Sequence, residues 1–149
     1  MRASTLLMTA TLSVLPRFAH AQLVPLSNDP CEMMVEHWVK ATNSGDAVDY
    51  LSLFSPEAVL VDPYGMHSNA ANIKAALRLV HNLGLSITAS IDGTRNVFNH
   101  EGLVCTGDYS GVYRSELRVQ GVTLFVITKM NGDWKIIAMA ISRKVTSDW

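Results

Sequence analysis

Charge is scarce in this chain. Charged residues make up 17% of its 149 residues, and the formal net charge is −1, against a usual charged share of about 25%. A chain this poor in lysine and arginine offers no basic stripe to a phosphate backbone, so nucleic acid is not expected as a partner. There are two cysteines and no Cys-x-x-Cys, and no two histidines stand at helical ligand spacing. A dedicated metal site is therefore not expected. Neither a Gly-x-Ser-x-Gly elbow nor a glycine-rich phosphate loop is present, which argues against a serine nucleophile and a nucleotide site, and no cofactor is implied. No apolar run is long enough to span a bilayer.

Apolar residues are plentiful, at 48%. The first of them follow Arg2: Leu6 to Leu15 form a short apolar stretch, and Ala19-His20-Ala21 is an A-x-A cleavage signature. Residues 1–21 are thus expected to be a signal peptide, and residues 22–149 a single secreted or periplasmic domain. Cleavage leaves 128 residues from Gln22, without a cysteine placed to carry a lipid anchor. It also removes Arg2 and Arg17, moving the net charge from −1 to −3. A domain of this size holds a real core, and its apolar excess implies either a cavity or a buried interface. Cys31 and Cys105 have two readings: one disulfide in an oxidising compartment, or two buried thiols acting as small hydrophobes.

Punctuation divides the chain clearly. Asp29 caps a helix with Pro30 in its first turn and Glu32 three residues on, and Cys31, Met34, Trp38 and Ala41 form its apolar stripe. Gly45 ends it. Asp46 caps a short second helix, with Val48, Leu51 and Phe54 inward and Ser55-Pro56 as its stop. A strand over Ala58–Asp62 follows. Ser68 or Asn69 then caps a third helix carrying Ile73, Ala76, Leu77 and Val80 on one face, with Gly84 as its stop.

From Leu85 the period changes to two. Strands are expected over Leu85–Phe98, Leu103–Tyr113, Val119–Met130 and Trp134–Arg143, with Asn131-Gly132 as the strongest hairpin signal. Helices followed by antiparallel strands indicate an α+β fold. In the last strand Trp134, Ile136 and Ala138 alternate with Ile137, Met139 and Ile141, so both faces are apolar. The second apolar face is expected to be buried against another copy, making a homodimer; the alternative is that one of these rows is tolerated at the surface.

Asp62 ends the apolar run Ala58-Val59-Leu60-Val61 and is followed by Pro63-Tyr64-Gly65. A carboxylate opening on an apolar cavity is desolvated, which strengthens it as a proton acceptor. A turn residue is the competing reading, because Asp-Pro commonly opens turns. Tyr64, His67, Arg95, Tyr109 and Tyr113 could border a pocket mouth, and Trp38 and Phe54 a pocket wall or the core.

This element order resembles the nuclear-transport-factor-2-like superfamily, which includes ketosteroid isomerases and SnoaL-like polyketide cyclases. The likeness is carried by Asn43-Ser44-Gly45-Asp46, by Ser55-Pro56-Glu57 through Gly65, and by the hairpin Asn131-Gly132-Asp133-Trp134-Lys135-Ile136. It implies a cystatin-like, cone-shaped barrel: a curved, mostly antiparallel sheet with three N-terminal helices packed on its concave face. It also implies a small apolar ligand in the cone, and it matches Asp62 to the proton-shuttling aspartate of the isomerases. The isomerase's other partners differ here. Trp38 stands where a first-helix tyrosine would be, and Val126 lies near the oxyanion aspartate's place, with Thr128 the adjacent polar residue. Asp108 and Glu116, on neighbouring strands, are possible substitutes.

Two readings of function follow. One is an exported, cofactor-independent enzyme moving a proton beside a carbonyl through Asp62, as isomerases, dehydratases and cyclases do. The other is a non-catalytic ligand-binding or protein-interaction module on the same fold. Export itself is open to direct measurement. Intact mass of protein recovered from an exporting host should correspond to a chain starting at Gln22, and recovery of the full Met1 chain from the cytoplasm would exclude it.

Overall fold

The computed structural model describes residues 29–97, 101–114 and 117–144. The expected signal peptide and Glu116 lie outside the described residues, and so does the side chain of Arg95.

Helix α1 spans Pro30–Ser44, and the Asp29 side chain accepts from the backbone N–H groups of Cys31 and Glu32. These are donors that the first helical turn leaves without an internal partner. Its buried stripe includes Cys31, Met34, Val35, Trp38, Ala41 and Thr42. Gly45 ends it at φ 68°, and a Cβ there would run into the His81 ring. A left-handed turn against a neighbouring helix leaves glycine as the fitting residue.

Helix α2, Ala47–Ser52, is capped by Asp46 and is shorter than its sequence pattern implied. Tyr50 is buried and Leu51 packs against the core as expected, whereas Val48 is 78% exposed. Phe54 does not belong to it. Strand β1 already starts at Phe54 and runs to Asp62, so Ser55-Pro56 lies within a strand. The parallel pairing of β1 with the last strand is interrupted between Phe54 and Val59. Such an irregular stretch tolerates a proline that has no N–H to give. A short strand β2, Gly65–His67, folds back on β1 and was not legible in the sequence pattern. Helix α3, Ala70–Asn82, is capped by Asn69 and buries Ile73, Ala76 and Leu77.

Strands β3 (Leu85–Val97), β4 (Gly102–Tyr113), β5 (Leu117–Met130) and β6 (Asp133–Arg143) complete a six-stranded sheet of order β2-β1-β6-β5-β4-β3. The sheet is mixed, because β1 and β6 run parallel while the other neighbours are antiparallel. It is also open. β2 and β3 remain as edges, where the resemblance implied a barrel. On the inner face, under the helices, Leu60, Met139, Phe125 and Cys105 sit side by side across β1, β6, β5 and β4, and all four are buried.

The two-faced apolar pattern of β6 has a local cause. The β5–β6 register shifts, so that Ile127 pairs with Ile136 but Val126 pairs with Ala138, leaving Ile137 as an extra residue. A one-residue bulge reverses which side chains point inward. Trp134, Ile136, Met139 and Ile141 therefore all contribute to the same core. Met139, expected on the face opposite Ile136, is 1% exposed.

Cys31 and Cys105 form a disulfide, with Cα atoms 5.6 Å apart, joining the start of α1 to the middle of β4 across a sequence separation of 74. A loop of that length corresponds to about 4 kcal/mol of chain entropy removed from the unfolded state. Alkylation of unfolded, unreduced protein should therefore label no thiol. The Cys31→Ala/Cys105→Ala variant should lose about 2–4 kcal/mol in a urea titration. Two labelled thiols per chain, or unchanged stability, would count against the bridge.

Candidate functional site

One end of the inner face is not filled by side chains. The helices and the sheet leave a pocket there in which the centre of a water molecule could move through about 60 Å³. That is room for a few waters or a ligand with few heavy atoms. Its deep side is formed by Trp38 and Thr42 of α1, Tyr50 of α2, Leu60 of β1 and Ala76 and Leu77 of α3. Toward the mouth lie Asp62, Pro63 and Tyr64 at the β1–β2 turn, Tyr109 and Tyr113 of β4, and Arg143 of β6. The chain has four tyrosines, and all four line this pocket.

Asp62 is placed by the β1–β2 hairpin, in which it pairs with Gly65 around Pro63-Tyr64. Its Oδ1 accepts from the backbone N–H groups of Tyr64 at 2.8 Å and Gly65 at 3.0 Å. Its Oδ2 lies 3.1 Å from Nε2 of His67. The Asp62 side chain is 8% exposed and that of His67 is 21% exposed. Asp62 is thus a turn residue by one oxygen and half of an Asp–His pair by the other. His67 reaches the pocket through Asp62 and is not itself one of the lining residues.

Burial controls the phenols. Burial pushes the Tyr50 hydroxyl up to about 12; the adjacent Trp38 indole partly opposes this, and the negative charge of Asp62 adds to it. Burial likewise raises Tyr113 to about 12, reinforced by the neighbouring Tyr64 and opposed by the Arg143 charge. The two hydroxyls of Tyr64 and Tyr113 are 3.4 Å apart. Tyr109 is also raised, by burial first, with Arg143 acting in the opposite direction. Tyr50, Tyr109 and Tyr113 therefore keep their protons at neutral pH and can donate.

Two buried lining groups lack a geometric partner: Trp38 Nε1 and Thr42 Oγ1. The Trp38 indole is close enough to Tyr50 to favour its phenolate, yet the pair does not reach hydrogen-bond geometry. Each unsatisfied buried polar group costs about 1–3 kcal/mol.

The residues singled out in the sequence divide among several places. Trp38, Asp62, Tyr64 and Tyr109 meet around the pocket, as does Tyr113. Phe54 sits in the core, its ring 5.2 Å from that of Tyr50, and does not line the pocket. Thr128 is at the other end of β5, where its hydroxyl donates to the Glu101 carbonyl at 2.8 Å. It belongs with Val126 to the outward register of a strand whose buried residues are Val119, Gly121, Thr123, Phe125 and Ile127. Asp108 is exposed and pairs with Lys144 at 3.0 Å. Tyr50, Thr42 and Arg143 were missed. The signal for Arg143 was its two-residue spacing from Met139 and Ile141, concealed by the bulge that turns this row inward.

The sequence matches no protein-family model and no curated protein. Solved structures are similar at the level of fold. A ketosteroid isomerase-like protein from Erwinia carotovora atroseptica aligns with a TM-score of 0.67 at 12% identity, covering 78% of this chain and 95% of that one. A domain of unknown function with a cystatin-like fold from Nostoc punctiforme gives 0.67 at 18% identity, over 78% and 76% of the two chains. A nuclear transport factor 2-like superfamily protein from Salmonella enterica serovar Typhimurium gives 0.63 at 19% identity, over 78% and 89%. With its mixed six-stranded sheet and helix-covered inner face, the chain has the cystatin-like fold of the nuclear-transport-factor-2-like structures.

Proposed function

We propose that this domain binds a small, largely apolar molecule in the pocket and that Asp62, oriented by His67, takes a proton from a carbon next to a carbonyl. The observation that carries this reading is the Asp62–His67 pair at the edge of an apolar pocket lined by four phenols. Proton abstraction beside a carbonyl needs a fixed base and donors for the oxyanion that develops. Asp62 is fixed by three contacts. Tyr50, within electrostatic reach of Asp62, and the unpartnered Trp38 N–H are the donors available on the deep side. No cofactor enters this chemistry.

A non-catalytic binding module is the second reading, favoured by one observation. Asp62 Oδ1 accepts two backbone N–H groups of its own turn, a structural role that is sufficient to explain the residue. Deuterium incorporation into small ketones in D₂O, followed by NMR, separates the two. The Asp62→Asn variant keeps the turn acceptor but cannot take a proton. It should retain the melting temperature within a few degrees and slow the exchange by at least about 100-fold. Ligand binding without exchange in the wild type would leave the binding module standing alone.

A homodimer through the outer sheet face is part of the same proposal. Val59, Ala138, Val126 and Val104 form one row across β1, β6, β5 and β4, and Val61, Ala140 and Leu124 the next. Val61 is 43% exposed, and Ala140 is exposed as well. Sedimentation should give twice the chain mass, with Ala140→Glu returning a monomer. A wild-type monomer at tens of micromolar, or an unaffected Ala140→Glu dimer, would refute the interface.

A further inference from the structure

We propose that the occupant of this pocket is a small monocarboxylate, with its carboxylate held by Arg143 at the mouth and its apolar body lying along Leu77, Ile87, Val119 and Ile141. The proposal rests on the ligand-binding reading above and narrows it to a chemical class.

Arg143 is the one lysine or arginine among the lining residues. Register brings it there: it pairs with Gly121, which pairs in turn with Tyr109, so the three share one row of the inner face. A Cβ at Gly121 would come within 2.5 Å of Tyr109 Cε1. The bare glycine therefore lets the Tyr109 ring lie across β5 toward Arg143. Among the described residues Asp62 pairs with His67 and Asp108 with Lys144, while the Arg143 guanidinium stands beside the Tyr113 hydroxyl. Arg143 takes part in neither ion pair.

The hydrogen-bonding inventory points the same way. A guanidinium offers several donors and no acceptor, and its fork matches the two oxygens of a carboxylate. Beside it, Tyr109 and Tyr113 keep their protons. The mouth is thus rich in donors. Its one anion, Asp62, already receives two backbone N–H groups and faces His67, so an ammonium would meet a carboxylate that is already engaged.

Size and polarity favour a small anion. The space open to the centre of a water molecule, about 60 Å³, suits a short body better than a fused-ring skeleton. Leu77, Ile87, Val119 and Ile141 wall the remainder, which suits a short hydrocarbon body. One guanidinium matches a single negative charge, whereas a phosphate dianion buried among these walls would remain undercompensated.

The test uses 3-methylbutanoate and its neutral isostere 3-methylbutanamide, titrated into ¹⁵N-labelled protein and read from amide shifts. The acid should bind at least about ten-fold more tightly than the amide and shift resonances on β4 and at the end of β6. Arg143→Gln should bring the acid down to the affinity of the amide, and Arg143→Lys, which keeps the charge, should recover part of the preference. Well-dispersed spectra of both variants establish that they fold. Equal binding of acid and amide, or an acid affinity unchanged in Arg143→Gln, overturns the carboxylate assignment and leaves the pocket reading intact. If neither ligand perturbs the pocket residues, both readings fall.

Discussion

Helix α1 is tied to the sheet at both ends, and the pocket depends on that double attachment. At its start, Cys31 is bonded to Cys105 of β4. At its end, the Asn43 side chain donates from Nδ2 to the Ile87 carbonyl at 2.9 Å and accepts from the Ile87 N–H at 2.7 Å. Those two bonds serve the free edge of β3 as an additional rung, using backbone groups that would otherwise face solvent. Between the two ties, the Trp38 ring packs edge-on to Phe125 with centroids 5.4 Å apart and planes at 74°. A helix fixed at two points cannot settle further onto the sheet. Space remains beyond Trp38, toward Leu60, Ile87 and Val119.

The bulge at Ile137 is the second constraint. With regular alternation along β6, the apolar rows would divide between the two faces. The additional residue sends Ile136 and Met139 to the same side, and it determines which face receives Arg143. One inserted position thus concentrates the core and sets the single cation at the pocket mouth. The outer face is left with small residues, Ala138 and Ala140, beside Val59, Val126 and Leu124.

Stability and chemistry pull in different directions around the pocket. Trp38 Nε1 and Thr42 Oγ1 are buried without partners, and a core built only for stability would use apolar groups of the same shape there. Tyr50, 4% exposed, is likewise a costly choice where phenylalanine would fill the volume. In the proposed ligand-binding role, these three polar groups at the deep side of an otherwise apolar space would be the contacts for the ligand. Asp62 combines both demands, holding the turn with Oδ1 and facing His67 with Oδ2.

Much of the architecture was legible in local chemistry. The Asp29, Asp46 and Asn69 caps, the Gly45 stop, the change of period at Leu85 and the Asn131-Gly132 hairpin are short-range signals. Each acts through backbone groups within a few residues, and the structure follows them. Asp62 was legible too, because an acid at the end of an apolar strand is conspicuous. What escaped was long-range. Nothing within Ser55-Pro56 announces a strand paired in parallel with residues some eighty positions on, and nothing within Ile136-Ile137 announces a bulge. Thr128 was misplaced for the same reason: side-chain direction in a strand is fixed by its partner's register and not by its own sequence. The sequence alone determined most of the elements and the residue types available for chemistry. Tertiary pairing alone decided which of them share a face, and so gathered Asp62, the four tyrosines and Arg143 around one pocket.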